Sequence, residues 1–255
     1  MPHLKQHVVI CGWNDRVPEM IREITCTNSI KKGIKVVVIA DLADDKPFTS
    51  YDFPPGFVHY CKGISSDYLM LRKACIKDAR KILIVADDQK ITRNNIRGVL
   101  TAYAIRMDQE NYSDVIAELF YEENKDAFIN AGVGKLVPIN RLYERLISSA
   151  TFNPGLSDIV TGILSFNGVQ IVKSVALNDD HNISDLVVGK TFHAANTELR
   201  KRNMMIVAIY SDERKPVNGH ASYEMHFLEN STYIINPGTE LDLAYQISKK
   251  DKLII

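Results

Sequence analysis

The sequence predicts an α/β protein with a doubly wound parallel sheet, followed by a helical connector and a small α+β subdomain. Over residues 1–140, short runs rich in Val and Ile alternate with helical patterns, as in sheets covered on both faces. The alternation ends after Asn140, so we expect three parts: 1–140, a connector at 141–167 and a subdomain at 168–255. With 255 residues, 45% of them hydrophobic, the chain can bury a substantial core.

Six short apolar runs in the first part predict its strands. They are His7–Cys11, Lys35–Ala40, Phe57–Cys61, Lys81–Ala86, Val115–Phe120 and Leu136–Ile139. Between them, helical spacing of apolar residues predicts helices. One begins near Asp15, and the others cover Asp67–Ile76, Thr92–Met107 and Tyr121–Ala131. Strands that alternate with helices of this length make a parallel sheet with helices on both faces.

The remainder of the chain reads differently. Helical spacing at Arg141–Thr151 and Leu156–Phe166 predicts the connector. Beyond it we expect one obvious helix near Ala195–Arg202, and four strands: Val169–Leu177, Met204–Tyr210, Tyr223–Phe227 and Leu253–Ile255. The exposed apolar residues Leu142, Leu146, Ile159 and Ile163 suit an interface between copies of the chain, or packing within it.

Charge and composition exclude several classes of protein. Lys and Arg number 31, as do Asp and Glu, which argues against a nucleic-acid binder that depends on counterion release. The longest apolar runs are far shorter than the ~20 residues that cross a bilayer, and no secretory signal is visible. The four cysteines lack zinc-ligand spacing. We therefore expect a cytoplasmic protein with reduced thiols.

The strongest local motif is the turn that joins the first strand to the first helix, Val8-Val9-Ile10-Cys11-Gly12-Trp13-Asn14-Asp15-Arg16. In Rossmann-like sheets, such a turn places backbone N–H groups and a helix N-terminus against a phosphate. The full G-x-G-x-x-G pattern would also have glycine at 14 and 17, where this chain has Asn14 and Val17. Asp41 ends the second strand, where an acid bonds the ribose hydroxyls of an adenine nucleotide.

Two other chemistries compete with nucleotide sensing. Tyr121 and Lys125 fit the Tyr-x-x-x-Lys pair of short-chain dehydrogenases, which keeps open an NAD(P)-dependent oxidoreductase. Asp87, Asp88 and Glu118 follow or end neighbouring strands and could supply part of a calcium shell, or simply cap a helix and line a solvated rim. A ligand-free scaffold is the remaining alternative.

Taken together, these motifs resemble the RCK family (regulator of potassium conductance, also called KTN). The resemblance covers almost the whole chain. The segments that carry it are His7–Trp13, Val38–Asp41, Leu71–Asp87, Val115–Glu118, Asp185–Phe192 and Asn236–Leu241. Two departures stand out. Phe120 replaces the second acid of an acid-x-acid pair that begins at Glu118, and Ile64 replaces the acid of a Gly-Asp motif at Gly63.

The resemblance implies a cytosolic, ligand-sensing gating domain of a potassium channel or transporter, and not an enzyme. It implies NAD(H) or another adenine nucleotide as ligand, with calcium as a second possibility. The implied nucleotide residues are Gly12, Trp13, Asn14, Asp15, Arg16, Asp41, Gly63 and Asp87, and the implied metal residues are Asp88 and Glu118. The implied partners are copies of the chain, as a dimer and an octameric gating ring, and a pore at the inner face of the cell membrane.

Overall fold

The structure is a computed structural model. It describes residues 4–25, 34–42, 48, 51, 53, 55–86, 91–107, 114–153, 155–164, 174–211, 232–234 and 246–255. The chain divides into two compact units, residues 1–169 and 170–255. No helix in these ranges is both long enough and apolar enough to cross a membrane.

The first unit is built on a six-stranded parallel sheet with the order β3-β2-β1-β4-β5-β6. Its strands are β1 (Val8–Cys11), β2 (Val36–Ala40), β3 (Val58–Lys62), β4 (Lys81–Ile84), β5 (Val115–Leu119) and β6 (Lys135–Pro138). Every residue of β1 and β2 is buried, as expected for inner strands covered on both faces. In register, Val8 lies between Val36 of β2 and Lys81 of β4.

Helices cover both faces of this sheet. They are α1 (Val17–Thr25), α2 (Tyr68–Lys73), α3 (Ile91–Arg106) and α4 (Lys125–Asn130). Two more helices, α5 (Ile139–Phe152) and α6 (Leu156–Leu164), follow β6. Alternate residues of β1 join different cores: Val8 and Ile10 pack with Ile21 of α1, while Val9 packs with Phe128 of α4. Because successive side chains of a strand point to opposite faces, β1 contributes to the cores on both sides of the sheet.

The second unit holds a four-stranded antiparallel sheet with the order β7-β10-β8-β9. Its strands are β7 (Ser174–Ala176), β8 (Ala208–Ser211), β9 (Thr232–Ile234) and β10 (Lys252–Ile254). Two helices, α7 (His181–Val187) and α8 (Phe192–Arg200), contribute buried apolar residues to its core. Each helix is capped by a side chain that accepts a backbone N–H: Asp180 caps α7, and Thr191 caps α8.

The predicted parallel sheet is confirmed, and all six expected strands form within two residues of their predicted limits. The prediction of one helix in the second part is wrong, because α7 precedes α8. The helix predicted over Asp67–Ile76 ends at Lys73, because Cys75 takes a left-handed conformation (φ 54°) before a 3-10 turn. The strand predicted at Tyr223–Phe227 lies outside the described residues.

Candidate functional site: a cleft at the carboxyl ends of β1, β2 and β3

Three predicted residues meet where β1, β2 and β3 end. Gly12 follows β1 with a φ of 108°, and its N–H donates to the Ile39 carbonyl at 2.9 Å. Asp41 follows β2, and Gly63 follows β3. All three line one small cleft, in the crevice where open parallel sheets bind their ligands.

Gly63 is fixed in place by its surroundings. Its φ is 155°, and a Cβ there would lie 2.7 Å from both Cγ and Sδ of Met70 in α2. A side chain at position 63 would therefore be strained by the backbone conformation and would force Met70 to shift. The next residues are held as well, because the Ser65 and Thr101 hydroxyls lie 3.0 Å apart and join this loop to α3.

The cleft is narrow and carries one charge of each sign. Its cavity measures about 30 Å³, room for little more than one water molecule. Asp41 on one side and Arg97 of α3 on the other are both exposed. A carboxylate can accept hydrogen bonds from sugar hydroxyls, and a guanidinium can donate to a phosphate.

A second set of predicted residues lies at the ends of β1, β4 and β5, where the side chains bond to one another. Asn14 is 1% exposed; its Nδ2 donates to the Ala86 carbonyl at 2.7 Å, and its Oδ1 accepts from the Arg16 N–H at 3.0 Å. The Arg16 guanidinium donates to both oxygens of Glu118, at 3.2 and 3.3 Å. Glu118 also accepts the Ala86 N–H at 2.9 Å. We call these four residues the Arg16–Glu118 network.

The polar side chains of the Arg16–Glu118 network bond to one another and to the backbone. The Asn14 amide group is buried, and the Arg16 guanidinium bonds Glu118 and lies 5.5 Å from the Phe120 ring centroid. Trp13 packs with its ring centroid 5.2 Å from that of Phe48. Asp15 borders a separate groove along α1.

The predicted site residues thus fall into two groups. Gly12, Asp41 and Gly63 share the cleft, whereas Trp13, Asn14, Asp15, Arg16 and Glu118 do not line it. Asp87 and Asp88 lie outside the described residues. Sequence reasoning missed Arg97, because it stands mid-helix on α3, in no motif, and only the fold brings it to Asp41.

The described residues near Glu118 do not form a cluster of metal ligands. Within the described ranges, no group of three or more His, Cys, Asp or Glu residues could hold a metal ion. Both oxygens of Glu118 already accept bonds from Arg16. A calcium ion bound to Glu118 would have to compete with that guanidinium, and the calcium site stays a prediction.

Comparison with known proteins identifies the family that part of the first unit matches. Residues 3–111 match the family model of the calcium-activated potassium channel slowpoke-like RCK domain. Residues 3–111 belong to the RCK family. The match includes Gly12, Asp41, Gly63 and Arg97, so the whole cleft lies within the RCK domain.

Relatives of the chain are ion channels by name. The calcium-gated potassium channel TvoK of Thermoplasma volcanium is 28% identical over 64% of this chain and 44% of its own length. The ion channel DMI1 of Medicago truncatula is 21% identical over 72% of this chain and 22% of its own. The chain therefore spans less than half the length of these relatives. Their names agree with the expectation of a regulatory domain and not of an oxidoreductase.

The fold is shared with a solved gating ring. The structure of the human SLO3 gating ring matches with a TM-score of 0.59, covering 98% of this chain and 44% of that one, at 14% identity. At that identity, the likeness establishes the fold alone. The likeness extends over both units of the chain.

Proposed function

We propose that this chain senses a small ligand and, in contact with copies of itself, biases the opening of a potassium-conducting pore. The observation that carries the proposal is the cleft of Gly12, Asp41, Gly63 and Arg97, within an RCK domain and at the sheet edge where such folds bind ligands. A ligand that binds one arrangement of the assembly more tightly than another shifts the balance between them by that difference.

The ligand proposed for the cleft is NAD(H) or another adenine nucleotide. Gly12 has no side chain, so a phosphate can approach its backbone closely. The Asp41 carboxylate would accept the ribose hydroxyls, and the Arg97 guanidinium would pair with a phosphate. Because the cavity measures only about 30 Å³, binding requires the exposed side chains of Arg97 and Ile64 to move outward.

Calcium is the second candidate ligand, and the name of TvoK favours it: that channel is calcium-gated. Here its ligands would be Glu118 and Asp88, as predicted from the sequence. Glu118 is 8% exposed and already bonds Arg16 and the Ala86 N–H. These contacts favour the nucleotide, because calcium would have to compete with a guanidinium for the Glu118 carboxylate.

Self-association is supported by α5 and α6. None of the α5 residues is buried, although the helix is amphipathic. Large apolar side chains stand exposed here: Leu142 (50%), Tyr143 (66%), Ile147 (53%), Phe152 (84%) and Ile159 (61%). Exposed apolar side chains in this number are costly in water and mark an interface, which in a dimer of identical chains is self-complementary.

A second apolar face lies on α3. Ile96, Leu100, Tyr103 and Met107 recur at helical spacing and are 60%, 52%, 43% and 81% exposed. A closed ring built from dimers needs each copy to use two separate surfaces. The α5–α6 face and the α3 face fit that need, which supports the proposed octameric ring at the cytoplasmic side of a pore.

The decisive experiment is isothermal titration calorimetry of the chain with NAD, NADH, ADP and ATP, and with calcium in parallel. We expect saturable binding of at least one nucleotide, weakened about tenfold or more by Asp41→Asn, which removes the charge that receives the ribose. Asp126→Asn is the matched control, because Asp126 is an exposed acid on α4, outside the cleft.

Three results would contradict the nucleotide proposal: absence of binding, binding that Asp41→Asn leaves unchanged, or consumption of the cofactor. Calcium binding lost in Glu118→Gln would instead favour the calcium site.

Assembly is tested separately by light scattering. Leu142→Asp with Ile147→Asp should reduce the molar mass of the assembly, and unchanged mass would contradict the proposed α5 interface.

A further inference from the structure

A groove of about 480 Å³ runs along the edge of the first sheet, beside β3 and the end of α2. β3 is the outermost strand, paired with β2 alone among the described strands. The groove shares no lining residue with the cleft of Gly12 and Asp41. Met70 lies between them, since it lines the groove and abuts Gly63 of the cleft.

Three cationic side chains converge on the groove. Lys62 ends β3, while Arg72 and Lys73 form the last turn of α2. Cations in a last helical turn complement the helix dipole, which explains two of the charges but not their convergence on a cavity with Lys62. No carboxylate is among the residues that line the groove. A concave surface with only positive charge attracts an anion.

The other residues that line the groove are less polar than these three cations. Tyr60, Met70 and the thiols of Cys61 and Cys75 line it, and the Tyr60 hydroxyl already donates to the Ala40 carbonyl at 2.9 Å. Burial raises the pKa of the Cys61 thiol, and the nearby charge of Lys73 partly opposes that shift.

We propose that this groove is a second ligand site, which binds a small organic phosphate. The phosphate would lie among Lys62, Arg72 and Lys73, where the Arg72 guanidinium can bond two of its oxygens. The organic body would lie against Tyr60 and Met70. A volume of about 480 Å³ falls within the range of small-molecule sites and exceeds the need of an inorganic anion.

The proposal is tested with phenyl phosphate, which combines a dianionic head with an apolar ring. Calorimetry on the full chain should give saturable binding, at least about tenfold tighter than that of inorganic phosphate or phenol. Arg72→Gln with Lys73→Gln should weaken it about tenfold or more. Lys125→Gln with Lys135→Gln removes the same charge near the opposite edge of the sheet and should leave binding unchanged.

A second readout is the alkylation of Cys75 by iodoacetamide, followed by mass spectrometry. Cys75 is partly exposed and lines the groove, so saturating phenyl phosphate should slow its modification about fivefold or more. Asp41→Asn, in the separate cleft, should change neither readout, which keeps this test independent of the proposed nucleotide site. Circular dichroism checks that the double variant folds. Arg72→Lys keeps the positive charge and should therefore retain more affinity for phenyl phosphate than Arg72→Gln.

Several outcomes would overturn the organic phosphate site. They are no saturation, equal affinity for inorganic phosphate, equal loss in the two double variants, or unchanged alkylation of Cys75 at saturating ligand. Loss of phenyl phosphate binding in Asp41→Asn would also overturn it, because the ligand would then occupy the cleft.

Discussion

The two halves of the first sheet end in opposite ways at the same edge. At the ends of β1, β4 and β5, the chain satisfies its polar groups with its own side chains, through Asn14, Arg16 and Glu118. At the ends of β1, β2 and β3, it places two glycines with left-handed backbone beside an exposed acid. One half is closed by side-chain bonds, whereas the other leaves an acid exposed beside two glycines.

This contrast separates a structural role at one end of the edge from the proposed binding role at the other. The network supplies stability, because the buried Glu118 carboxylate is paired and bonded to a backbone N–H. In the proposed function the cleft supplies recognition, because its exposed charges gain little from one another in water. Substitutions should therefore affect unfolding when they fall in the network, and ligand binding when they fall among the exposed charges of the cleft.

The largest effect is expected from Gly63→Ala, where the cleft depends on backbone geometry. A Cβ 2.7 Å from Met70, added to a φ of 155°, should lower the free energy of unfolding by about 3 kcal/mol, measured by urea denaturation. Gly56→Ala is the matched control, because it has a φ of 79° but nothing within 4 Å. It should cost about 1 kcal/mol. Equal losses in the two variants would show that Met70 is no obstacle.

Glu118→Ala should come next, because it leaves the Ala86 N–H without its acceptor and Arg16 without its partner. We expect a loss of about 2 kcal/mol in unfolding free energy, since half-exposed Arg16 can regain water. Glu122→Ala breaks the surface pair with Arg141, in which both side chains are 55% exposed. That control should cost about 0.5 kcal/mol or less. A Glu118 loss no greater than this would contradict the structural role.

Asp41→Asn should leave stability unchanged and act on binding alone. The exposed carboxylate contributes little to folding, so the urea midpoint should shift by no more than that of Asp126→Asn. Nucleotide affinity should fall about tenfold, or about 1.4 kcal/mol. Calorimetry and denaturation on the same preparations measure both. A variant that loses stability as well as affinity would place Asp41 in the framework rather than in recognition.

The smallest effect concerns Cys11, at the end of β1 where the two halves meet. Burial, aided by Cys61, raises its pKa from 9.0 to about 12. Only the unfolded chain then ionises as pH rises above about 9, so the stability contribution is intact below that pH and declines toward pH 12. Between about pH 8 and about pH 9.5, the wild type should lose about 1 kcal/mol more than Cys11→Ala. Parallel slopes in urea denaturation would contradict this.

The sheet could be predicted from sequence because its signal is local. Val36–Ala40 is apolar throughout, and a strand buried on both faces needs nothing else to be recognised. The helix α7 was missed because its start depends on the Asp180 side chain, which caps Ile183, more than on any apolar run. The 3-10 turn after α2 was missed because nothing local identifies Cys75 as left-handed.

The cleft could be predicted only in part. Gly12 and Asp41 stand at strand ends, where topology alone brings them together. Arg97 comes from a helix, and Arg16 meets Glu118 across 102 positions of sequence. Pairing of charges so far apart depends on strand order and side-chain reach, which residue spacing does not encode. Arg16 was predicted among the nucleotide residues, and only the structure shows that its guanidinium bonds the Glu118 carboxylate.

The position of β10 in the second sheet has a consequence for folding during synthesis. Lys252–Ile254 lies between β7 and β8, so among the described strands these two have no common partner until residue 254 has been made. The parallel sheet of the first unit is complete by Pro138. On the ribosome, the first unit can fold while the second waits, with two strand edges open to unwanted pairing.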